Sequence, residues 1–379
     1  MINCPICGGN KNINVVTLRN IPVTVNTFFS NKNSALNIPK DKINLRYCTV
    51  CSHLYNSAFD PRKIIYGDSY ENSLFFSSFF RDYAENQIGQ LIRRNSLHKN
   101  FIIEIGSGKG DYIELLCKKT NSKGIGFDPS ATREASEDGR VCYIKDNFKK
   151  ELITQPPHYI ICRQTLEHLH NPKQLLQEIR EVLSKNQGTI FIEVPNGLYL
   201  IKHIKIFDLI YEHVSYYTPS SIKKLLVDSG FKIVQFKEDF GGQYLSVEAK
   251  PGKDKTHSLD SIEHRIMAFS EKSPELIQYY LNKISQLNNQ EKKIAIWGTG
   301  SKGVMFLNLT DKNRNVQYCI DINPNKKGKF IPGTAHKIIQ PGFLKVSPSD
   351  VIFIMNEIYR QEIQETLKSM NNPAEIYIV

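Results

Sequence analysis

The stretch Phe101-Ile-Ile-Glu-Ile-Gly-Ser-Gly-Lys-Gly-Asp111 joins a short apolar run to three closely spaced glycines. Because the run is apolar on both faces, it predicts a strand buried within a sheet. Glycine has no Cβ, so the backbone after this strand can turn tightly against a ligand before a helix that begins near Tyr112. A strand, a glycine turn and a helix N-terminus together form a nucleotide site at the carboxyl edge of an open α/β sheet.

The spacing Gly106-x-Gly108-x-Gly110 differs from the Gly-x-Gly-x-x-Gly pattern of dinucleotide-binding folds. With Glu104 two residues before the first glycine, the motif resembles motif I of class I methyltransferases, which bind S-adenosylmethionine. Another nucleotide fold or a purely structural turn stays open on this motif alone. A second predicted strand ends in Asp128, near the position where α/β nucleotide folds place a ribose-binding carboxylate, and this favours the methyltransferase interpretation.

Further strands and helices alternate through the middle of the chain, which indicates a mostly parallel sheet covered on both faces. A last unit begins near residue 291 with a second strand-to-helix glycine turn, Gly298-x-Gly300-x-Lys302-Gly303. This spacing fits a small NAD domain, but the short unit suits one mononucleotide-binding half better. The predicted fold class is therefore α/β, a class I methyltransferase Rossmann-like sheet followed by a smaller Rossmann-like domain.

The chain has 379 residues, of which 40% are hydrophobic, enough for two or three domains with cores of their own. Its formal net charge of +11 suits nucleic acid, a membrane surface or an anionic small molecule. The lysines are dispersed among acidic residues, which favours a generally basic surface or a phosphorylated substrate. No apolar run approaches the ~20 residues that span a bilayer, and no secretion signal is visible, so we expect a cytoplasmic protein.

Four of the eight cysteines form two Cys-x-x-Cys pairs, Cys4 with Cys7 and Cys48 with Cys51. Two such pairs can close a tetrahedral zinc site, and the glycines after the first pair fit a zinc-knuckle turn. The long gap between the pairs indicates an inserted hairpin or loop. A redox dithiol is the alternative, but two pairs without a thioredoxin-like context favour structural zinc.

These motifs, in this order, resemble those of S-adenosylmethionine-dependent sugar C-methyltransferases, which act on nucleotide-linked 4-keto-deoxysugars. The resemblance covers nearly the whole chain. Besides the cysteines and glycine turns, it rests on Glu212-His213 followed by Tyr216, on the segment from Asp321 to Thr334, and on that from Asn356 to Glu362. Two positions depart from the family, because Tyr211 replaces the first histidine of a His-Glu-His motif and Asn72 replaces a frequent second tyrosine.

The resemblance implies a zinc-binding module over 1–60 and a methyltransferase domain with a helical lead-in over 61–250. A helical connector over 251–290 and a Rossmann-like domain over 291–379, which assists sugar-nucleotide binding, complete the expected organisation. For the methyl donor, it implies that Gly106, Ser107 and Gly108 surround the methionine and ribose portions. Asp128 accepts hydrogen bonds from the ribose, and Gln164 contacts the donor.

Methylation at a carbon beside a ketone needs a base for the α-proton and a hydrogen-bond donor for the enolate. His213 is the preferred base, because an imidazole with an ordinary pKa of ~6.5 suits proton transfer at neutral pH. Glu212 would orient this histidine or bind a sugar hydroxyl, and Tyr70 and Tyr211 are candidates for hydrogen bonds to the sugar or its carbonyl. A polar cluster with packing roles is the alternative for Glu212 and His213.

The expected partner is a nucleotide-linked sugar, without nucleic acid and without a membrane span; a monomer is plausible. Methylation of a sugar oxygen or nitrogen is the nearest alternative. A nucleic-acid methyltransferase or binding protein built on the zinc module is a second, and a non-catalytic protein that keeps the donor fold is a third.

Overall fold

The computed structural model describes residues 3–64, 67, 69–255 and 261–379, so residues 256–260 of the predicted connector lie outside it. The strands of the described residues are, in chain order, β1 (Asn12–Pro22), β2 (Lys40–Cys48), β3 (His53–Asn56), β4 (Phe101–Ile105), β5 (Lys123–Phe127), β6 (Val141–Ile144), β7 (Tyr159–Arg163), β8 (Thr189–Pro195), β9 (Ser215–Tyr216), β10 (Phe231–Asp239), β11 (Tyr244–Pro251), β12 (Ile294–Trp297), β13 (Tyr318–Ile320), β14 (Ile338–Ile339), β15 (Val351–Ile354) and β16 (Glu375–Ile378). The α-helices are α1 (Lys32–Leu36), α2 (Ser78–Asn95), α3 (Asp111–Thr120), α4 (Pro172–Ser184), α5 (Gly197–Lys202), α6 (Pro219–Asp228), α7 (Glu263–Asn289), α8 (Ser301–Thr310) and α9 (Arg360–Ser369). Among these helices, none is long and apolar enough to cross a membrane.

The central sheet has seven strands in the order β10-β11-β8-β7-β4-β5-β6. Its core is parallel, since β4 lies between β5 and β7 and pairs with both in the parallel sense. Only β11 runs against its neighbours β8 and β10. This arrangement confirms the predicted α/β sheet of a class I methyltransferase, with the apolar β4 buried in the middle.

Helices cover both faces of this sheet, as the alternating pattern predicts. One face packs against α2 and α3, whose buried side chains include Ile88 and Leu116. The other face packs against α4 and α6, with Leu176 and Leu225 in its core. Helix α6 begins at a capping box in which the Thr218 hydroxyl accepts a hydrogen bond from the backbone amide of Ser221.

The N-terminal sheet has the order β1-β2-β3-β9 and is antiparallel throughout. Its first three strands come from residues 12–56, and β1, α1 and β2 fill the gap between the cysteine pairs, in line with the insertion expected there. Its last strand, β9, comes from the middle of the chain. The N-terminal segment is therefore joined to the central region by backbone hydrogen bonds.

The C-terminal sheet has five parallel strands in the order β14-β13-β12-β15-β16. The second glycine turn connects β12 to α8, as the sequence predicts. The long helix α7 packs on this sheet and also on β1. Its buried residues Phe269 and Tyr280 therefore contribute to a core shared by the N-terminal and C-terminal sheets.

The first glycine turn needs Gly106 for two separate reasons. Its φ of +73° is in the left-handed region, which L side chains rarely adopt. A Cβ at this position would lie 1.9 Å from the Thr165 Oγ1 atom in the loop after β7. The turn after β4 is therefore in close contact with the loop after β7.

We expect Gly106→Ala to lower the free energy of unfolding by about 2–5 kcal/mol, because backbone strain and overpacking act together. Gly139→Ala is the matched control, since Gly139 also has a positive φ of +66° but open space around its Cβ position. Strain alone should cost this variant about 1–2 kcal/mol. Urea unfolding of both variants measures the difference, and equal losses would contradict the close contact with Thr165.

Candidate functional site

A cavity of about 390 Å³ lies where the carboxyl ends of the central and C-terminal sheets meet. Gln164 follows β7 and Asn196 follows β8 on one side of it, while Gly298 follows β12 and Met355 follows β15 on the other. Loops at the carboxyl ends of parallel strands are where open α/β sheets bind ligands. This position makes the cavity the candidate active site.

The first glycine turn lies next to this cavity. A Cβ on Gly108 would be in ordinary van der Waals contact with the Oδ1 atom of Asn72, 3.8 Å away, and Asn72 lines the cavity. The Gly108 amide donates a 2.7 Å hydrogen bond to the Oδ2 atom of Asp128. The other oxygen of Asp128 accepts hydrogen bonds from the amide and hydroxyl of Ser130, so the carboxylate is oriented at the end of β5.

Two polar groups of the turn region are buried without a hydrogen-bond partner in the described residues, Ser107 Oγ and Glu104 Oε2. Burial raises the pKa of Glu104 to about 8. Glu104 itself lies on β4 and does not line the cavity. The side-chain-free glycine backbone, the buried Ser107 hydroxyl and the oriented Asp128 carboxylate fit a nucleoside-containing ligand such as S-adenosylmethionine. Gly110 directly precedes α3 as its N-cap residue.

Gln164 lines the cavity at the start of the loop after β7. It has a positive φ of +49°, and its amide donates to the carbonyl oxygen of Glu193 at 2.8 Å. A non-glycine residue in this region is uncommon and needs surrounding structure to hold it. The cavity is therefore lined by a Gln164 side chain whose backbone is fixed by β8.

His213 lines the cavity beside His168, with ring centroids 4.8 Å apart and nearly perpendicular planes. Its Nδ1 atom has no hydrogen-bond partner in the described residues. Burial, and after it the neighbouring His168, lowers the pKa of His213 well below its ordinary value. The imidazole is therefore neutral at pH 7 and has an acceptor nitrogen.

His168 has a defined tautomer. Its Nδ1 atom lies 3.1 Å from the backbone carbonyl oxygen of Glu212, which only accepts, so Nδ1 carries the proton. Burial lowers the pKa of His168 to about 4. The cavity thus holds two neutral imidazoles in contact.

The structure does not bring Glu212 or Tyr211 into the cavity. The Glu212 carboxylate is fully buried and accepts hydrogen bonds from the Thr24 hydroxyl and the Val25 amide, both at 3.0 Å. Burial raises its pKa to about 7, and these two hydrogen bonds oppose that shift. The Tyr211 hydroxyl accepts from the amide of Asp60 at 3.0 Å, on the N-terminal side. Both side chains fasten the N-terminal segment instead.

Tyr70 does line the cavity, together with Asn26, whose side-chain amide donates to the Tyr70 hydroxyl at 3.2 Å. Asn26 follows Thr24 and Val25, the two residues that Glu212 holds. Glu212 therefore positions Tyr70 indirectly, through the N-terminal segment. Asn26 was not identified from the sequence, because only this tertiary contact connects it to the site.

Glu167 is a second cavity residue that the sequence did not single out. It is 1% exposed and belongs to a short turn, Leu166–His168, that follows β7. Its Oε2 atom has no partner in the described residues. A glutamate directly before a histidine, just after a buried parallel strand, is the signal that could have found it.

The C-terminal side of the cavity carries lysines. Lys302 follows the second glycine turn and its Nζ donates to the carbonyl oxygen of Val379 at 2.8 Å, while burial lowers its pKa. Lys326 pairs with Asp321 at 3.0 Å. Although burial opposes it, this lysine and the Thr299 hydroxyl lower the pKa of Asp321. A cationic group beside a helix N-terminus suits an anionic ligand.

The four N-terminal cysteines come together, with all their sulfurs within 4.8 Å of one another. Cys4 and Cys51 have sulfurs 3.5 Å apart, and Cys7 and Cys48 have sulfurs 3.6 Å apart. A tetrahedral zinc ion with bonds of ~2.3 Å separates its sulfur ligands by roughly 3.8 Å. The cluster therefore fits such an ion closely.

Comparison with known proteins supplies the family context. Residues 80–236 match the family model of a methyltransferase domain, and residues 242–379 match that of a C-methyltransferase C-terminal domain. The C-methyltransferase NovU of Streptomyces niveus is 22% identical over 306 residues, which make up 74% of this chain and 72% of that relative.

Solved structures similar to this chain include the magnesium protoporphyrin IX methyltransferase of Synechocystis PCC 6803, with 14% identity and a TM-score of 0.36 over 46% of this chain and 84% of that one. The 1,6-didemethyltoxoflavin-N1-methyltransferase of Burkholderia thailandensis shows 15% identity and a TM-score of 0.36 over 46% and 82% of the two chains. The two family models together span both sides of the cavity and confirm the predicted activity class. The protein is an S-adenosylmethionine-dependent methyltransferase that carries the C-terminal domain of C-methyltransferases.

Proposed function

We propose that the protein transfers a methyl group to a carbon atom of a nucleotide-linked 4-keto-deoxysugar, next to the ketone. The observation that carries this proposal is the cavity of about 390 Å³ between the two sheets. It has neutral histidines near the donor turn on one side and Lys302 beside the second glycine turn on the other. A ligand with a reactive sugar at one end and phosphates at the other matches this distribution of groups.

On the donor side, we assign the turn from Gly106 to Gly110 to the methionine and ribose portions of S-adenosylmethionine. Asp128 would accept hydrogen bonds from the ribose, and Gln164 would contact the ligand next to the acceptor. The Ser107 hydroxyl, which has no partner among the described residues, would gain one. When bound, S-adenosylmethionine supplies an electrophilic methyl carbon on a sulfonium. The chain contributes by holding the accepting carbon in line with that methyl group.

On the acceptor side, His213 is the proposed base. Its Nδ1 atom has no partner in the described residues, and its lowered pKa keeps it neutral at pH 7. A neutral imidazole can take the proton from the carbon beside the ketone, which generates the carbon nucleophile. Tyr70 would hold a hydroxyl or the carbonyl of the sugar, and Glu212 would act through the N-terminal segment.

On the nucleotide side, Lys302 and the backbone amides of Gly300 and Gly303 would meet the phosphates. The lining of the cavity there comes from the C-terminal residues 297–366, within the region that matches the C-methyltransferase C-terminal domain. This supports a substrate-holding role for the second glycine turn, and not a nicotinamide site.

A panel of 4-keto sugar nucleotides, incubated with ¹³C-methyl-labelled S-adenosylmethionine, tests the function directly. We expect NMR of the product to show a new methyl carbon bonded to carbon. A methyl shift typical of O-CH₃ or N-CH₃ would replace this proposal with its nearest alternative. Transfer to RNA or DNA, with no transfer to any sugar nucleotide, would exclude it.

We expect His213→Ala to reduce turnover by about 100-fold or more, since removal of a general base typically costs 10²–10⁴-fold. Binding of S-adenosylmethionine, measured by isothermal titration calorimetry, should stay intact. His264→Ala is the matched control, because His264 is exposed on α7 and outside the cavity. Near-normal turnover of His213→Ala would refute the base assignment.

We further propose that Cys4, Cys7, Cys48 and Cys51 hold one structural zinc ion. A closed shell of four thiolates leaves no open coordination position, so the metal would stabilise the fold and take no part in methyl transfer. The cluster packs beside β3 and the central sheet, so loss of the metal would loosen one wall of the core.

Native mass spectrometry should detect one zinc ion per chain, and Cys48→Ala should lose it and unfold at a lower temperature, because metal binding contributes to folding. Cys142→Ala is the control, since Cys142 is an exposed thiol outside the cluster. A wild-type protein that folds fully without metal would exclude the structural role.

A further inference from the structure

The carboxyl group of Glu167 is buried in the wall of the cavity, and its Oε2 atom has no partner in the described residues. The backbone around it is fixed, because the Glu167 carbonyl oxygen accepts a hydrogen bond from the amide of Val214 at 2.9 Å. A buried oxygen without a partner costs free energy unless a ligand or a proton satisfies it. Glu167 therefore has an unused polar atom at the place where the acceptor is proposed to bind.

The surroundings of Glu167 favour its protonated form. The titratable groups that face it are Cys162 on β7, Glu193 on β8, His168 and His213 beside it, Tyr217, and Tyr244 on β11. None of these supplies a positive charge at neutral pH, because burial lowers the pKa of both histidines. Burial, and to a smaller extent Glu193, raises the pKa of Glu167 to about 8.

We propose that Glu167 is a further catalytic residue, the hydrogen-bond donor to the carbonyl oxygen of the acceptor as that oxygen takes up enolate charge. This inference rests on the proposed function, in which the acceptor is a ketone. One carboxylate oxygen of Glu167 and one ring nitrogen each of His168 and His213 lie within 4.8 Å of one another. A ketone's α-carbon and oxygen are two bonds apart, so His213 and Glu167 can address both at once.

The C–H bond at the α-carbon breaks, its proton goes to His213, and its electron pair forms the carbon–carbon double bond of the enolate. The π pair of the carbonyl moves to oxygen, which accepts the hydrogen bond from the Glu167 carboxylic acid. A neutral carboxyl in a dry site can stabilise an enolate oxygen in this way.

Glu167 suits this role better than Tyr211 or His168, and Tyr70 is then assigned to a sugar hydroxyl. The Tyr211 hydroxyl lies outside the cavity, among residues of the N-terminal segment. His168 already donates its Nδ1 proton to the carbonyl oxygen of Glu212. A cation held by Glu167, His168 and His213 is the competing explanation, since two imidazoles and a carboxylate form a common metal-ligand set.

The variants Glu167→Gln and Glu167→Leu separate the role of hydrogen-bond donor from that of metal ligand. The amide of Gln keeps a neutral hydrogen-bond donor at this position, whereas Leu removes it. At pH 7 we expect Glu167→Leu to lose about 10²–10³-fold in turnover. Glu167→Gln should stay within about tenfold of the wild type. The wild-type rate should fall as the pH rises through about 8, where the donor proton is lost, and Glu167→Gln should not show this fall.

Three further quantities are measured beside turnover. They are deuterium exchange at the α-carbon of the acceptor, the affinity for S-adenosylmethionine, and the metal content of the protein. We expect deuterium exchange at the α-carbon to fall together with turnover in Glu167→Leu, while the affinity for S-adenosylmethionine stays unchanged in both variants. Glu151→Gln, an exposed change of the same kind outside the cavity, should match the wild type throughout.

Wild-type turnover in Glu167→Leu would overturn the proposal. So would a Glu167→Gln variant whose turnover still falls as the pH rises through about 8. This second result decides the question even if Glu167→Leu does not fold. A stoichiometric cation other than the cysteine-bound ion, lost in Glu167→Gln together with activity, would assign Glu167 as a metal ligand instead. A wild type that neither exchanges nor methylates any 4-keto sugar nucleotide would overturn the proposed function, and this inference with it.

Discussion

A buried ion pair fixes the floor of the cavity. The Arg163 guanidinium at the end of β7 donates to Glu193 on β8 at 2.8 Å, and the two side chains are 8% and 0% exposed. Tyr83 and Gln87 of α2 donate to the other oxygen of Glu193, and Arg163 lies 3.8 Å from the ring centre of Tyr112 on α3. Removing one partner would leave a buried charge unpaired, so the packing of β7 and β8 against α2 and α3 depends on this contact. Gln164 follows Arg163 directly and Glu167 lies four residues after it, so both cavity residues belong to the loop that begins at this ion pair.

The cavity walls come from parts of the chain that are far apart in sequence. Asn26 and Tyr70 lie on the N-terminal side, the loops after β7 and β8 form the base, and the C-terminal sheet closes the remaining side. The Ser77 hydroxyl donates to Glu362 of α9 at 2.6 Å, so the helical lead-in and the C-terminal region are also joined at the rim. Donor and acceptor chemistry can share one small space because three sheets contribute to it.

The sequence predicted the features that depend on local patterns. The apolar β4, the glycine turn and the alternation of strands and helices follow from spacing, and the structure has them. The directions of the side chains at the site could not be predicted in this way, because tertiary contacts determine them. Tyr211 and His213 are two residues apart, yet the Tyr211 hydroxyl contacts the Asp60 amide while the His213 ring lines the cavity. Glu167 and Asn26 gain their places only through packing, which no periodicity in one sequence encodes.

The strand β9 has a consequence for how the chain is made. Residues 12–56 supply three strands of the N-terminal sheet, but the edge of β3 stays unpaired until Ser215–Tyr216 has been synthesised. A ribosome adds about 5–20 residues each second, so this edge is exposed for roughly ten seconds or longer during translation. Exposed strand edges can pair with other chains, so this edge is open to such pairing during that interval. The segment that the nascent chain makes first is thus among the last to be completed.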